Sequence, residues 1–275
     1  MASRRATPRF PALMHEAFVI VGQMTSWRKR VVTTDTLVAQ IHDSRSNKVH
    51  TPGEEVAEVQ GWLAVGLAMI AGFVDAYGII TYDTYLSFMS GNTTHTGYKT
   101  GQGDSWAAVP SALAIVFFVG GSFTGALLAH SAVRRVRRLV FGVVAILLGL
   151  IVGFAQLGFS SGWVTISVLS FAMGAMNTVL PRVAAQNVMF VTGTLHRIGV
   201  QLALAVRRAP LPDSRGSWDT HLYRTRMMAS IWAGFLTGAL LSGMVTTRFG
   251  VWVLLFPMLM LSALAALDRT TSAAV

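Results

Sequence analysis

The pattern of apolar and polar residues changes at Gly61. Before it, charged and small polar residues interrupt every apolar stretch, and no period of 3.6 or 2 is sustained, so the segment has no face to bury. Residues 1–56 are expected to be a mostly disordered polar tail, in which Ala12–Gly22 is either a short interfacial helix or part of an unstructured extension. His15 and Glu16 break that stretch and no clear small-residue cleavage site follows, so it does not read as a secretory signal. From Gly61 onward six apolar runs follow: Gly61–Thr81, Ala107–Ala129, Leu139–Gly158, Gly162–Pro181, Met227–Thr246 and Gly250–Leu267. Each is close to the roughly 17–25 residues that carry a helix across a bilayer core, and none alternates as a barrel strand would. The expectation is an all-α integral membrane protein with six transmembrane helices over residues 57–269 and a short tail, 270–275.

Composition supports that class. Of 275 residues, 53% are hydrophobic and 12% charged, with a mean hydropathy of +0.54; a soluble domain carries about twice that share of charge. A net charge of +10 would suggest nucleic acid in a soluble protein. Here position decides otherwise. With the N-terminus cytoplasmic, twenty of the 22 basic residues fall in the tail, the second and fourth connections and the C-terminal end, leaving Lys99 and Arg248 outside. The positive-inside rule therefore predicts six spans with both termini in the cytoplasm, the basic residues facing anionic headgroups, with no nucleic-acid partner. A further crossing by Thr84–Lys99 would put Arg134, Arg135, Arg137 and Arg138 outside, which the same rule rejects. The absence of cysteine excludes disulfides, thiolate metal sites and cysteine nucleophiles.

The two halves resemble one another. Gly72-Phe-Val-Asp75 aligns with Gly174-Ala-Met-Asn177 at an offset of 102, and the alignment continues without a gap through Ser90/Thr192 and Gly91/Gly193. Thr124-Gly-Ala-Leu-Leu128 matches Thr237-Gly-Ala-Leu-Leu241 at an offset of 113. Three spans per unit is an odd number, so the second unit is inverted relative to the first. The expected plan is two inverted three-helix repeats, 57–160 and 161–269, with a polar site at their interface.

Gly72-Phe-Val-Asp75-Ala, Ser87-Phe-Met-Ser-Gly-Asn92, Gln186-Asn187 and Val191-Thr-Gly-Thr194 together resemble the YoaK-like bacterial membrane family, known as domain of unknown function 1275. The resemblance covers about residues 60–268, with Ser90 standing where the family pattern has threonine. It implies a multi-spanning inner-membrane protein without an established activity.

Asp75 is the single formally charged residue inside the six runs. A carboxylate at membrane depth is costly and usually faces a cavity or a partner. Gly72 and Gly78, three residues to either side, put small residues on its face. Asp75 either couples proton movement to transport or hydrogen-bonds neighbouring helices to fix the fold; its repeat equivalent, Asn177, keeps the shape without the charge. Ser90-Gly-Asn-Thr-Thr-His-Thr96 and Thr192-Gly-Thr-Leu-His196 each follow an apolar piece too short to span. Each is expected to be a re-entrant or broken segment, after helices 1 and 4, whose glycine ends a turn and exposes backbone groups; interfacial hairpins with helix caps are the alternative. The candidate substrate- or ion-binding residues are Asp75, Ser90, Gly91, Asn92, Thr93, Asn177, Gln186, Asn187, Thr192, Gly193 and Thr194. His95 and His196 lie one position out of repeat register with no acid or thiolate at ligand spacing, so no metal or other cofactor is expected. Gly121-x-x-x-Gly125, Gly149-x-x-x-Gly153 and Gly234-x-x-x-Gly238 should let helices approach closely, within one chain or in a homodimer. Pro110 is expected at a first turn, and Pro257 as a kink in the last span.

These features suit a secondary transporter or permease for a small solute, proton-coupled through Asp75. A non-catalytic membrane scaffold or sensor is the alternative. An intramembrane enzyme acting on a lipid or prenyl substrate needs converging acids, a metal or an activated nucleophile, and one aspartate supplies little of that.

Overall fold

A computed structural model describes residues 52–131, 135–159, 161–178 and 191–267. The chain divides into two units, Met1–Pro52 and Gly53–Val275, and the description below is of the second. Its described residues contain helices and no strand. In chain order they are α1 (Pro52–Tyr82), α2 (Met89–Gly101), α3 (Ser105–Ala129), α4 (Val136–Gln156), α5 (Gly162–Thr178), α6 (Val191–Val206) and α7 (His221–Phe249). A 3-10 turn (Gly250–Leu254) then leads into α8 (Leu255–Leu267).

Nearly all described residues of the six apolar runs lie on helices, because a backbone leaving water must satisfy its own hydrogen bonds within the segment. Among the described residues, four stretches are long and apolar enough to cross a bilayer: Val56–Tyr82, Ser105–Ala129, Val136–Gln156 and His221–Ala266. The last contains two of the predicted runs. The helix ends differ from expectation in three places. α1 starts at Pro52, inside the predicted tail, with proline in the first turn, where its missing N–H costs nothing. Asp104 caps α3 by accepting from the Ala107 amide at 3.2 Å, so Pro110 falls in the second turn. Pro257 does not kink a span; the break comes earlier, at Gly250 (φ +53), and Pro257 is the third residue of α8.

Burial sorts the helices. On α1, Leu67, Ile70, Val74 and Tyr77 are buried, and on α5 Leu169, Met173 and Met176 are. Both helices are apolar all round, as interior helices are. By contrast α3 exposes Val116, Val119, Phe123 and Leu127, α4 exposes Ile146, Leu150 and Phe154, and α7 exposes Leu236, Leu240 and Met244. Such stripes of large apolar side chains would be an aggregation hazard in water and are the face a bilayer covers.

Two close crossings hold the core. Along α1 and α7, Gly61 faces Met227, Gly234 faces Val65, Gly238 faces the Met69 carbonyl, and Gly72 faces the Phe235 carbonyl; a Cβ at Gly238 or Gly72 would collide with backbone. Along α3 and α5, Gly121 faces the Phe171 carbonyl, Gly125 faces Ala175 and Thr178, and Gly174 faces the Phe118 carbonyl. From Gly61–Met227 to Met69–Gly238, and from Gly121–Phe171 to Gly125–Thr178, both numbers rise, so in each crossing the two helices run parallel. The crossings also match in register. Phe171 and Met69 are 102 apart, the offset of the first repeated string, but Gly238 and Gly121 are 117 apart, one helical turn more than the 113 suggested by sequence. Of the third small-residue pair, among the described residues a Cβ at Gly149 would meet the Met258 sulfur at 3.1 Å and one at Gly153 would meet nothing, so that pair makes no backbone approach there. Elsewhere α8 packs on α4, α4 on α5, and Phe256 of α8 on Phe73 of α1 with ring centroids 5.0 Å apart. The C-terminal end of α1 meets the N-terminal end of α5, where Tyr82 covers Gly162.

Candidate functional site

The site grows from the end of α1. Asp83, in the left-handed region at φ +52, reverses the chain. The following residues lie back along α1 in order. The Thr84 amide reaches the Gly78 carbonyl at 3.5 Å, and the Leu86 and Ser87 amides donate to Asp75 Oδ1 at 2.8 and 2.6 Å. Ser87 Oγ donates to Asp75 Oδ2 at 2.7 Å. Gly78 permits this return, since a Cβ there would stand 2.5 Å from the Thr84 carbonyl oxygen and 2.7 Å from Leu86 Cγ.

The chain then climbs back as α2. The Asn92 side chain brackets Tyr85, accepting from its amide at 3.1 Å and donating to its carbonyl at 2.7 Å, and His95 stands beside Asp83. The segment therefore enters along α1 and leaves on the same side. At about 1.5 Å per residue, Asp75 lies roughly 10 Å below the end of α1, which sets the depth reached. One expectation about this segment is corrected. The Ser90-Gly-Asn run opens a helix and does not end a turn: Gly91 sits in the first turn of α2, where a Cβ would meet the Phe88 and Tyr85 rings. Gly103, at φ +84, makes the tight turn from α2 into α3.

Between the returning segment and α2 is a cleft of about 430 Å³, lined by Ile79, Asp83, Tyr85, Phe88, Ser90, Gly91, Asn92, Thr94, His95 and Tyr98. The rings of Tyr85 and Phe88 meet edge to face at 5.2 Å, and those of His95 and Tyr98 at 5.1 Å. His95 Nδ1 is 3.1 Å from Ser111 Oγ on α3. Its Nε2 is shut off from solvent without a hydrogen bond, and lies 3.9 Å from Asp83 Oδ2, too far for one.

The predicted residues are thus divided. Ser90, Gly91 and Asn92 line the cleft; Thr93 spends its hydroxyl on the Met89 carbonyl at 2.8 Å and does not. Asp75 lies beneath the segment, not in the cleft lining. In the second half, Thr192, Gly193 and Thr194 open α6 as their equivalents open α2. Asn177 is the penultimate residue of α5, its Oδ1 buried and without a hydrogen bond among the described residues. Gln186 and Asn187 lie outside the described residues. The two polar runs are seated separately, α2 on α3 and α6 on α7, without comparable packing between them. Asp83, Tyr85, Ser87 and Tyr98 escaped the sequence reading, which weighed His95 only as a metal ligand. The available signal was a hydroxyl and an acid bounding the short apolar piece that follows α1.

At the other end of α6, the connection to α7 is pinned by charge. Arg224 donates from Nε to Asp219 Oδ1 and from Nη2 to Asp219 Oδ2, both at 2.8 Å, and reaches Asp213 at 3.0 Å. The Arg224 guanidinium holds the Asp219 carboxyl below the usual carboxylate range. His221, buried at the start of α7, places Nδ1 2.6 Å from Gln201 Oε1 and Nε2 3.2 Å from the Ala209 carbonyl.

A membrane-embedded helical core with this returning segment coincides with a family match. The profile described as protein of unknown function (DUF1275) matches residues 63–267. The chain belongs to the DUF1275 family. A relative, the UPF0700 transmembrane protein RA0705 of Rhizobium meliloti (strain 1021), is 28% identical over 210 residues, covering 74% of this chain and 84% of the relative. No solved structure matches significantly. The chain thus belongs to a family of transmembrane proteins of unknown function.

Proposed function

We propose that this DUF1275 protein is a secondary transporter or permease for a small solute, built as two inverted three-span repeats in a bacterial inner membrane with both termini cytoplasmic. The observation that carries the reading is the Asp75-anchored returning segment beside a cleft of about 430 Å³, since non-helical backbone at membrane depth is tolerated where protein covers it or it lines a cavity. The matched crossings of α1 with α7 and α3 with α5 favour a duplication, and the meeting of the α1 C-terminus with the α5 N-terminus favours opposite directions for the first helix of each half. Inverted repeats of this kind are a common transporter plan.

In this reading Asp75 is the coupling group. A proton on the carboxyl competes with the amides of Leu86 and Ser87, so protonation changes how firmly the segment is held beside the cleft. The test is proteoliposome flux of candidate solutes across imposed pH gradients. Asp75→Asn, whose Oδ1 still accepts both amides, should insert and fold but lose the pH dependence of flux; unchanged pH dependence would overturn the role. One observation favours the second reading, a membrane scaffold or sensor: the hydrogen bonds to Asp75 all come from its own returning segment. Flux in wild-type proteoliposomes decides between them.

A further inference from the structure

We propose that the cleft between the returning segment and α2 is a binding site for a small organic ammonium ion, with the Asp83 carboxylate as its counter-ion. The inference deepens the transporter reading, and rests on it in taking the occupant to be a transported solute.

Three features of the lining favour a cation that donates hydrogen bonds. The first is charge: Asp83 is the one acidic residue lining the cleft, and no lysine or arginine lines it. Lys99 lies close by but rests over the Tyr98 ring, 5.4 Å from its centroid. Secondly, two side-chain donors at the start of α2 are already spent. Thr94 Oγ1 donates to the Ser90 carbonyl at 3.1 Å, and the Asn92 amide donates to the Tyr85 carbonyl. What these groups leave on offer is acceptor capacity. The third is aromatic: Tyr85, Phe88 and Tyr98 supply ring faces of the kind that attract a cation.

His95 adds the orphan that a ligand would complete. Its Nε2 is closed to solvent and unpaired, and the 3.9 Å gap to Asp83 Oδ2 is too long for a direct bond. A turn of the His95 ring that opens Nε2 to the cleft would let one ammonium nitrogen bond both groups at ordinary lengths. When Nδ1 donates to Ser111 Oγ, Nε2 is an acceptor and an ammonium N–H satisfies it. An anion would meet Asp83 with like charge, and a neutral alcohol would gain neither the ion pair nor the ring faces.

The experiment is calorimetric titration of the full-length protein in detergent with 5-amino-1-pentanol, using 1,5-pentanediol and 5-hydroxypentanoate as neutral and anionic counterparts of the same length. The amine should bind and the other two should not. Asp83→Asn should weaken binding at least tenfold and Asp83→Glu should retain most of it. Asparagine tolerates the left-handed backbone at position 83 as aspartate does, so the variant should fold. Equal binding of the three compounds, wild-type affinity in Asp83→Asn, or no amine binding at millimolar concentration overturns the proposal. Flux of the same amine is measured in parallel in proteoliposomes. Amine binding without any flux would sink the transporter reading and leave the cleft assignment standing. Flux of a non-cationic solute without amine binding would do the reverse.

Discussion

Replacing Asp75 tests whether one carboxylate holds the returning segment. In Asp75→Ala, the amides of Leu86 and Ser87 lose their acceptor at a position closed to water; Asp75 is 3% exposed and Leu86 fully buried. An orphaned buried donor costs about 1–3 kcal/mol, so two cost about 2–6 kcal/mol. The Ser87 hydroxyl, free to rotate, adds less. Asp75→Asn keeps Oδ1 as acceptor but puts an N–H donor in place of Oδ2, so the Ser87 hydroxyl must accept and the charge assistance is lost, about 1–2 kcal/mol in total. The order of stability should be wild type, then Asn, then Ala, measured by unfolding in mixed micelles with increasing denaturing detergent. Ser87→Ala should cost about 1 kcal/mol alone and less in the Asp75→Ala background, because the two side chains share a bond. An Ala variant within about 0.5 kcal/mol of wild type, or an Asn variant as damaged as Ala, would refute the claim that the carboxylate anchors this segment.

The glycines separate by what they face. Gly238→Val puts a side chain onto the Met69 carbonyl and should cost at least 1–3 kcal/mol by forcing α1 and α7 apart, whereas Gly153→Ala, with open space around it, should leave detergent-unfolding midpoints unchanged. Arg224→Met should destabilise the protein by about 1–3 kcal/mol at neutral pH through loss of its charged hydrogen bonds to Asp219. Because the folded Asp219 carboxyl lies below its unfolded value, that stabilisation is present above about pH 4 and lost as pH falls through the folded value. Stability curves of the two proteins should therefore converge in acid, and a constant gap across that range would contradict the assignment. The chain has no cysteine, so single replacements report topology directly. Gln102→Cys should label with an impermeant maleimide in intact cells and Arg215→Cys only after permeabilisation; the opposite result inverts the proposed orientation.

Hydropathy made the spans legible because a helix crossing lipid must be apolar along its whole length. It said little about where helices begin: α1 extends to Pro52 through residues polar enough to read as tail. The first pair of similar strings falls at matching places in the two crossings, and the second lies one turn away from the match. Small residues recur every turn along α3 and α7, so similarity of Thr124–Leu128 to Thr237–Leu241 cannot select the turn. The backbone can: only the residue at closest approach must lack a Cβ, and that pairs Gly121 with Gly238. Asp75 stood out for a comparable reason, as a lone charge among apolar residues. Its partners could not, because two of its three bonds come from main-chain amides, and an amide leaves no mark on residue identity. The same blindness hid the cleft. Asp83 and Tyr85 read as ordinary loop residues until the chain turns back on α1. That reversal depends on Gly78 making room and on Asn92 reaching back seven residues to hold the Tyr85 peptide. The polar run after α1 therefore owes its position to a packing gap and a carboxylate inside the span, and loosening either should move the cleft residues together.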